Sequence, residues 1–215
     1  YTIEKLTDYG MPFIGSHRDA HKARAGTAIH VRGIKIGFLA CTGVFNYNPP
    51  SKDCFINNFY DEKTMNQAID AMRPGTDFLV LVAHFGTEYT AVPSTKDVAI
   101  LRRYCDRGVD IIVGHHPHIL QGQESYTAAD GRKCRIFYSL GNFISNQTWD
   151  KVGVSPKGIQ VTPQDSIVLR CVLVKTAGDV RAEYSTVPIY CLNRHIPKGD
   201  SFQDRDIRPV IISEA

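Results

Sequence analysis

The sequence lacks the features that mark several classes of protein. No apolar run approaches the roughly 20 residues that a membrane-spanning helix needs. The net charge is only +3, which does not indicate a nucleic-acid-binding protein, because such proteins cluster lysine and arginine on one face. Neither an internal repeat nor a low-complexity block occurs in the chain. These absences point to an ordinary globular protein.

The six cysteines also form no recognisable motif. None belongs to a CxxC pair, so neither a zinc knuckle nor a thioredoxin-type site is indicated. Three lie in apolar or helical contexts and are predicted to be buried free thiols: Cys41, Cys105 and Cys171. The others leave a disulfide open if the protein is exported, without indicating the pair: Cys54, Cys134 and Cys191. We expect structural roles for all six.

The pattern that is present is typical of an α/β domain. With 215 residues and 43% hydrophobic content, the chain can form one domain with a sizeable core. Apolar runs predict buried strands at 78–83 and 109–113, and amphipathic segments predict helices at 61–73 and 94–107. A further strand is predicted at 135–139, and hairpins at 27–41 and 165–190. We therefore predict a mixed sheet flanked by helices, with a polar tail from 193 to 215.

Half of the eight histidines stand where two of these strands end. His84 follows the first apolar run, and His115, His116 and His118 follow Gly114 after the second. Ligands of open α/β sheets gather outside the carboxyl ends of the strands. Neutral imidazole is the commonest side-chain metal ligand. We therefore predict that His84, His116 and His118 bind metal.

Three nearby residues each have several candidate roles. His115 could bind the metal itself, orient a metal ligand through a hydrogen bond, or contact a substrate anion. Glu88 could be a metal ligand, an acceptor for an imidazole N–H, a general acid, or an ordinary solvated carboxylate. Asn142 follows the strand predicted at 135–139 and could either donate to a substrate oxygen or form a turn with Gly141.

Three motifs occur in order along the chain: His84-Phe85-Gly86-Thr87-Glu88-Tyr89, Gly114-His115-His116-Pro117-His118 and Tyr138-Ser139-Leu140-Gly141-Asn142-Phe143. They resemble the C-terminal motifs of the bacterial capsule-synthesis family. These CapA-type poly-γ-glutamate biosynthesis proteins are similar to calcineurin-like metallophosphoesterases. The resemblance covers most of residues 3–144. It implies that residues 1–192 form the C-terminal half of a four-layer, metallophosphatase-like sandwich.

The resemblance also implies chemistry. It implies a pair of divalent metal ions, with manganese, iron, zinc and magnesium all compatible, held in part by His84, His116 and His118. Glu88 and His115 are then candidate catalytic residues, and Asn142 is a candidate substrate contact. The implied function is a hydrolase or transferase of capsule synthesis that acts on an anionic polymer or a phosphate-containing substrate. The alternative is a non-catalytic scaffold or a polymer-binding subunit.

The sequence departs from the family pattern in one respect. The early aspartate, the bridging carboxylate and the Asn-His element of the metallophosphoesterase site are not visible. Residues 1–10 read as the end of a helix capped at Gly10, so we expect the chain to be part of a longer domain. By itself it should be catalytically inactive and, with an open sheet edge, poorly stable. The family also implies an exported or membrane-attached protein of the cell envelope, with a membrane-bound synthesis complex as its partner.

Overall fold

The computed structural model describes residues 2–45, 54–148, 161–195 and 205–212, which fall into two compact units. The first unit contains Tyr1–Gly86, Ser94–Gly114 and Gln123–Phe137. The second contains Thr87–Pro93, His115–Gly122 and Tyr138–Ala215. Pro49, Pro50 and Trp149 lie outside the described residues. Among the residues that are described, no helix is long and apolar enough to cross a membrane.

A six-stranded sheet dominates the first unit, in the order β2-β3-β5-β6-β8-β7. Its strands are β2 (Thr27–Val31), β3 (Ile34–Thr42), β5 (Phe78–His84), β6 (Ile111–His115), β7 (Gln123–Thr127) and β8 (Lys133–Phe137). The β3–β5 and β6–β8 pairs are parallel, whereas β2–β3 and β7–β8 are antiparallel. The predicted mixed α/β class is therefore confirmed. Leu79, Leu81 and Ala83 are fully buried, as expected of a central strand.

The helices of the first unit begin and end where local chemistry predicts. They are α1 (Thr2–Asp8), α2 (Ala20–Ala25), α3 (Glu62–Met72) and α4 (Thr95–Arg107), and a short two-stranded sheet pairs β1 (Ser16–His17) with β4 (Phe55–Ile56). The Ser94 hydroxyl accepts from the Asp97 N–H and caps α4, which ends at Gly108. Asp61 caps α3 through the Thr64 N–H. A 3₁₀ turn, Arg73–Gly75, follows α3 directly.

A buried carboxylate connects neighbouring elements of the first unit. Asp110 is 7% exposed and accepts from the Leu79 N–H at 2.8 Å. Its two oxygens also accept from the guanidinium groups of Arg73 and Arg132, the latter at 2.9 Å. Buried charges are tolerated when they are paired and hydrogen-bonded in this way. The residue before β6 is thereby fixed to β5.

The second unit contains an antiparallel three-stranded sheet, in the order β11-β10-β9. The strands are β9 (Asp165–Thr176), β10 (Asp179–His195) and β11 (Arg205–Ile211). The β9–β10 hairpin is as predicted. The polar pattern after 193 does not predict β11, which pairs with β10 from Ile189↔Ile211 to His195↔Arg205. Cys171 is exposed on β9, so its predicted burial is wrong, because this part of the sheet leaves both faces largely open.

Candidate metal centre

Three potential metal ligands meet in the second unit, on the loops that follow β5 and β6. Glu88 comes from the first loop, and His116 and His118 come from the second. One oxygen or nitrogen atom of each side chain lies within 4.8 Å of the others. The Glu88 Oε1 atom is 3.8 Å from the His118 Nε2 atom. Two of the predicted ligands therefore lie together, and a carboxylate joins them.

Left-handed backbone conformations shape this cluster. The φ angles of Tyr89, His116 and His118 are 57°, 107° and 61°, a region that residues with side chains rarely adopt. The Tyr89 N–H donates to the Pro117 carbonyl at 2.8 Å and ties the two loops together. Conformations of this kind persist only where their surroundings enforce them, and they concentrate at functional sites. The backbone here is therefore built to present particular side chains.

The surroundings of His118 hold its ring in one orientation. The Tyr89 ring stacks on it, with the centroids 5.9 Å apart. The Asn142 Oδ1 atom lies 2.9 Å from His118 Nδ1, and the Asn142 Nδ2 donates to the His118 carbonyl at 3.1 Å. The side chain of Asn142 is thus engaged with the protein itself. Its role toward a substrate stays a prediction.

The electrostatic surroundings favour neutral imidazole rings. Burial lowers the pKa of His116, which is 8% exposed, while the charge of Glu88 opposes that shift and the nearby His118 adds to it. Burial also lowers the pKa of His115, which is not one of the three clustered groups. Because neutral imidazole is the form that binds metal, these shifts suit a ligand role at neutral pH.

His84 lies in the first unit, at the end of β5. Its Nδ1 atom is 2.9 Å from the Thr42 hydroxyl, and its carbonyl accepts from the Gly43 N–H at 2.7 Å. Thr42 pairs directly with His84 in the parallel register of β3 and β5, so both residues stand at the carboxyl edge of this sheet. The sequence does not single out Thr42. That His84 joins the other two histidines at a metal stays a prediction.

The donor set of the cluster fits a divalent transition metal. One carboxylate and two imidazoles are a ligand set of catalytic zinc sites, which keep a further position open for water or substrate. Metal bonds of about 2.1 Å place two ligand atoms roughly 3.4 Å apart in a tetrahedral site, or about 4.2 Å apart across a metal. The 3.8 Å between Glu88 and His118 falls within that range. Of the roles left open for Glu88, the geometry favours that of a ligand.

Comparison with known proteins finds relatives of this chain. The model of a family described as bacterial capsule synthesis protein PGA_cap matches residues 1–147. "Capsule biosynthesis protein CapA" of Bacillus anthracis is 30% identical over 157 residues, which is 70% of this chain and 36% of that protein. "PGA biosynthesis protein CapA" of Bacillus subtilis (strain 168) is 32% identical over 139 residues, which is 65% of this chain and 32% of that protein. The chain thus spans about a third of the length of these relatives.

A likeness among solved structures is more remote. A hypothetical protein from Thermus thermophilus matches with a TM-score of 0.44 at 12% identity. The match covers 76% of this chain and 62% of that chain. A similarity at this level carries no argument about function.

Proposed function

The chain belongs to the bacterial capsule synthesis protein PGA_cap family, and from this premise we propose that it carries part of a metal-dependent hydrolase or transferase site serving capsule or poly-γ-glutamate synthesis. Membership confirms the family resemblance of the three histidine- and asparagine-containing motifs. The observation that supports a metal-dependent site is the convergence of Glu88, His116 and His118. We propose the cell envelope as the place of action, since the relatives are named for capsule synthesis.

Each residue of the proposed site has a defined task. His116 and His118 would hold a divalent ion through ring nitrogens, and Glu88 would supply negative charge to the same ion. A divalent ion bound there acts as a Lewis acid toward an anionic substrate. His115, half-buried with a pKa that burial lowers, would support the neighbouring ligand loop or contact a substrate anion.

A two-metal site needs more ligands than this cluster offers. The described ranges contain one group of three His, Cys, Asp or Glu side chains with metal-binding spacing. We propose that further ligands, beyond the three of this cluster, complete such a site. On this reading, residues 1–215 by themselves do not hydrolyse a generic phosphodiester when Mn²⁺ is added.

The small number of clustered ligands favours a second candidate function. A single three-ligand group, with Glu88 exposed, is a weak basis for catalysis. The alternative is therefore a non-catalytic scaffold that binds or guides an anionic polymer. The two candidates differ in turnover: a scaffold binds polymer without cleaving or transferring it, with or without metal.

Metal analysis of the full-length protein tests the site. We expect His116→Ala and His118→Ala each to lose most of the divalent metal that copurifies or is taken up on dialysis, because each removes one ligand. His30→Ala is the matched control, since His30 is exposed on β2 and lies outside the cluster. Metal content unchanged in both cluster variants would overturn the assignment.

A further inference from the structure

We propose that Asn142 is a positioning residue that keeps His118 in the Nδ1–H tautomer and so turns an unprotonated Nε2 toward Glu88. The inference rests on the proposed metal site but concerns a residue whose contacts are with the protein itself. It assigns Asn142 a role different from the substrate contact that the sequence predicts.

The hydrogen-bond partners of Asn142 determine the positions of its amide nitrogen and its amide oxygen. The Nδ2 atom lies 3.1 Å from the His118 carbonyl and 3.0 Å from the Pro163 carbonyl. Backbone carbonyls only accept, so the amide nitrogen and not the oxygen must face them. A third oxygen, Gln147 Oε1, lies 3.2 Å from the same nitrogen. Exchanging the two ends of the amide would set its oxygen against two carbonyl oxygens.

The amide orientation then determines the tautomer of His118. Asn142 Oδ1 is 2.9 Å from His118 Nδ1, and an amide oxygen can only accept. The ring must therefore carry its proton on Nδ1 to make this bond. A neutral imidazole has a single N–H, so Nε2 is left with its lone pair. That atom is the one 3.8 Å from Glu88 Oε1, too far for a hydrogen bond and suitable for a shared metal ion.

The local backbone explains how Asn142 reaches this position. Gly141 has a φ of 75°, and a Cβ atom at Gly141 would lie 2.5 Å from the Asp165 carbonyl. Only glycine therefore permits the turn that passes so close to the start of β9. The Ser166 hydroxyl donates to the Leu140 carbonyl at 2.7 Å and also holds the turn against β9. The Gly141-Asn142 turn and the strand behind it together place the amide against His118.

Histidine tautomers can be read directly by NMR, in the full-length, metal-free protein with ¹⁵N-labelled histidine. We expect the long-range ¹H–¹⁵N pattern of His118 to be that of the Nδ1–H form, with the resonance assigned by its loss in His118→Ala. Asn142→Ala should shift the pattern toward the Nε2–H form. Gln147→Ala is the matched control, since it removes one partner of Nδ2 and leaves Oδ1 untouched.

Metal affinity provides the second readout. Loss of a residue that orients a ligand typically weakens binding 10–100-fold, so we expect this loss in Asn142→Ala, with near-native affinity in Gln147→Ala. Wild-type His118 in the Nε2–H form would overturn the inference, and that result does not depend on how the Asn142 variants fold. Unchanged affinity and tautomer in Asn142→Ala would also overturn it. If the wild type has the Nδ1–H form but binds no metal, the proposed function fails while the assignment of Asn142 as a positioning residue for His118 stands.

Discussion

Replacing Asp110 by asparagine tests how the start of β6 is held against the start of β5. The carboxylate of Asp110 accepts from the Leu79 N–H and from the guanidinium groups of Arg73 and Arg132. Asparagine has nearly the same shape but no charge, and its amide nitrogen cannot accept. Depending on which oxygen the amide nitrogen replaces, either Arg132 alone or both Arg73 and the Leu79 N–H then lose their acceptor.

The size of the effect follows from the burial of the partners. Removing one member of a buried ion pair costs about 3–5 kcal/mol. The Arg73 and Arg132 side chains remain 29% and 23% exposed, so water can partly replace the lost charge. We therefore expect the lower end, about 3 kcal/mol. In a protein of this size, each kcal/mol shifts the Tm by about 2–4 °C, which gives a loss of about 6–12 °C.

Thermal unfolding followed by circular dichroism measures this loss, in the full-length protein. Asp70→Asn is the matched control, because Asp70 pairs with Arg107 at the surface, where both side chains are about half exposed. Exposed ion pairs contribute little to stability, so the control should melt close to the wild type. A Tm for Asp110→Asn within about 2 °C of the wild type, the shift expected for less than 1 kcal/mol, would refute the reasoning. The buried pairs would then contribute no more than a surface pair.

Two further predictions concern local packing and thiol reactivity. Gly141→Ala should lower the Tm more than Gly178→Ala does. Both glycines have a positive φ, a conformation that costs alanine about 1–2 kcal/mol. Only at Gly141 would the added Cβ also meet the backbone, 2.5 Å from the Asp165 carbonyl. Equal losses in thermal melts would contradict the close contact. With Ellman's reagent at mildly alkaline pH, Cys171 should react before Cys41. Desolvation raises the pKa of both thiols, to about 12 for Cys41, but Cys171 is exposed to the reagent, whereas Cys41 is buried and should stay unreactive until the protein unfolds. Peptide mapping that finds Cys41 labelled before Cys171 in the native protein would contradict this order.

The parts of the fold that the sequence predicts are those specified by local patterns. Helix α3 presents the periodic apolar positions Met65, Ala68 and Ile69 to the core, and α4 has a serine cap and a terminal glycine. The β9–β10 hairpin has Gly178 in its turn, and the central strands are continuous apolar runs. Strand boundaries are less well determined: β6 is predicted at 109–113 and is observed at Ile111–His115. Asp110 accepts hydrogen bonds from Leu79 and Arg73, which are distant in sequence, and no local pattern indicates this.

The elements that the sequence does not predict depend on distant partners. Strand β11 contains three charged residues and a proline, which do not favour a strand, and it forms by pairing with β10. Strand β7 is the edge of the larger sheet and reads as a half-buried polar segment, Gln123–Thr127. Pairing of this kind contributes backbone hydrogen bonds whatever the side chains are. Such strands therefore leave a weak signal in composition.

In the candidate site, residue types can be predicted from the sequence, but the role of a residue that depends on distant partners cannot. The histidines and Glu88 are visible in the sequence because their residue types and their position after apolar runs suit metal binding. The role of Asn142 is not visible, because it depends on a glycine turn against Asp165 and on the left-handed backbone of His118. Asparagine and histidine 24 positions apart are brought to 2.9 Å by that geometry. The role of such an asparagine therefore depends on what its amide nitrogen faces. Here the nitrogen of Asn142 donates to two backbone carbonyls, and the amide oxygen is consequently directed at the ring of His118.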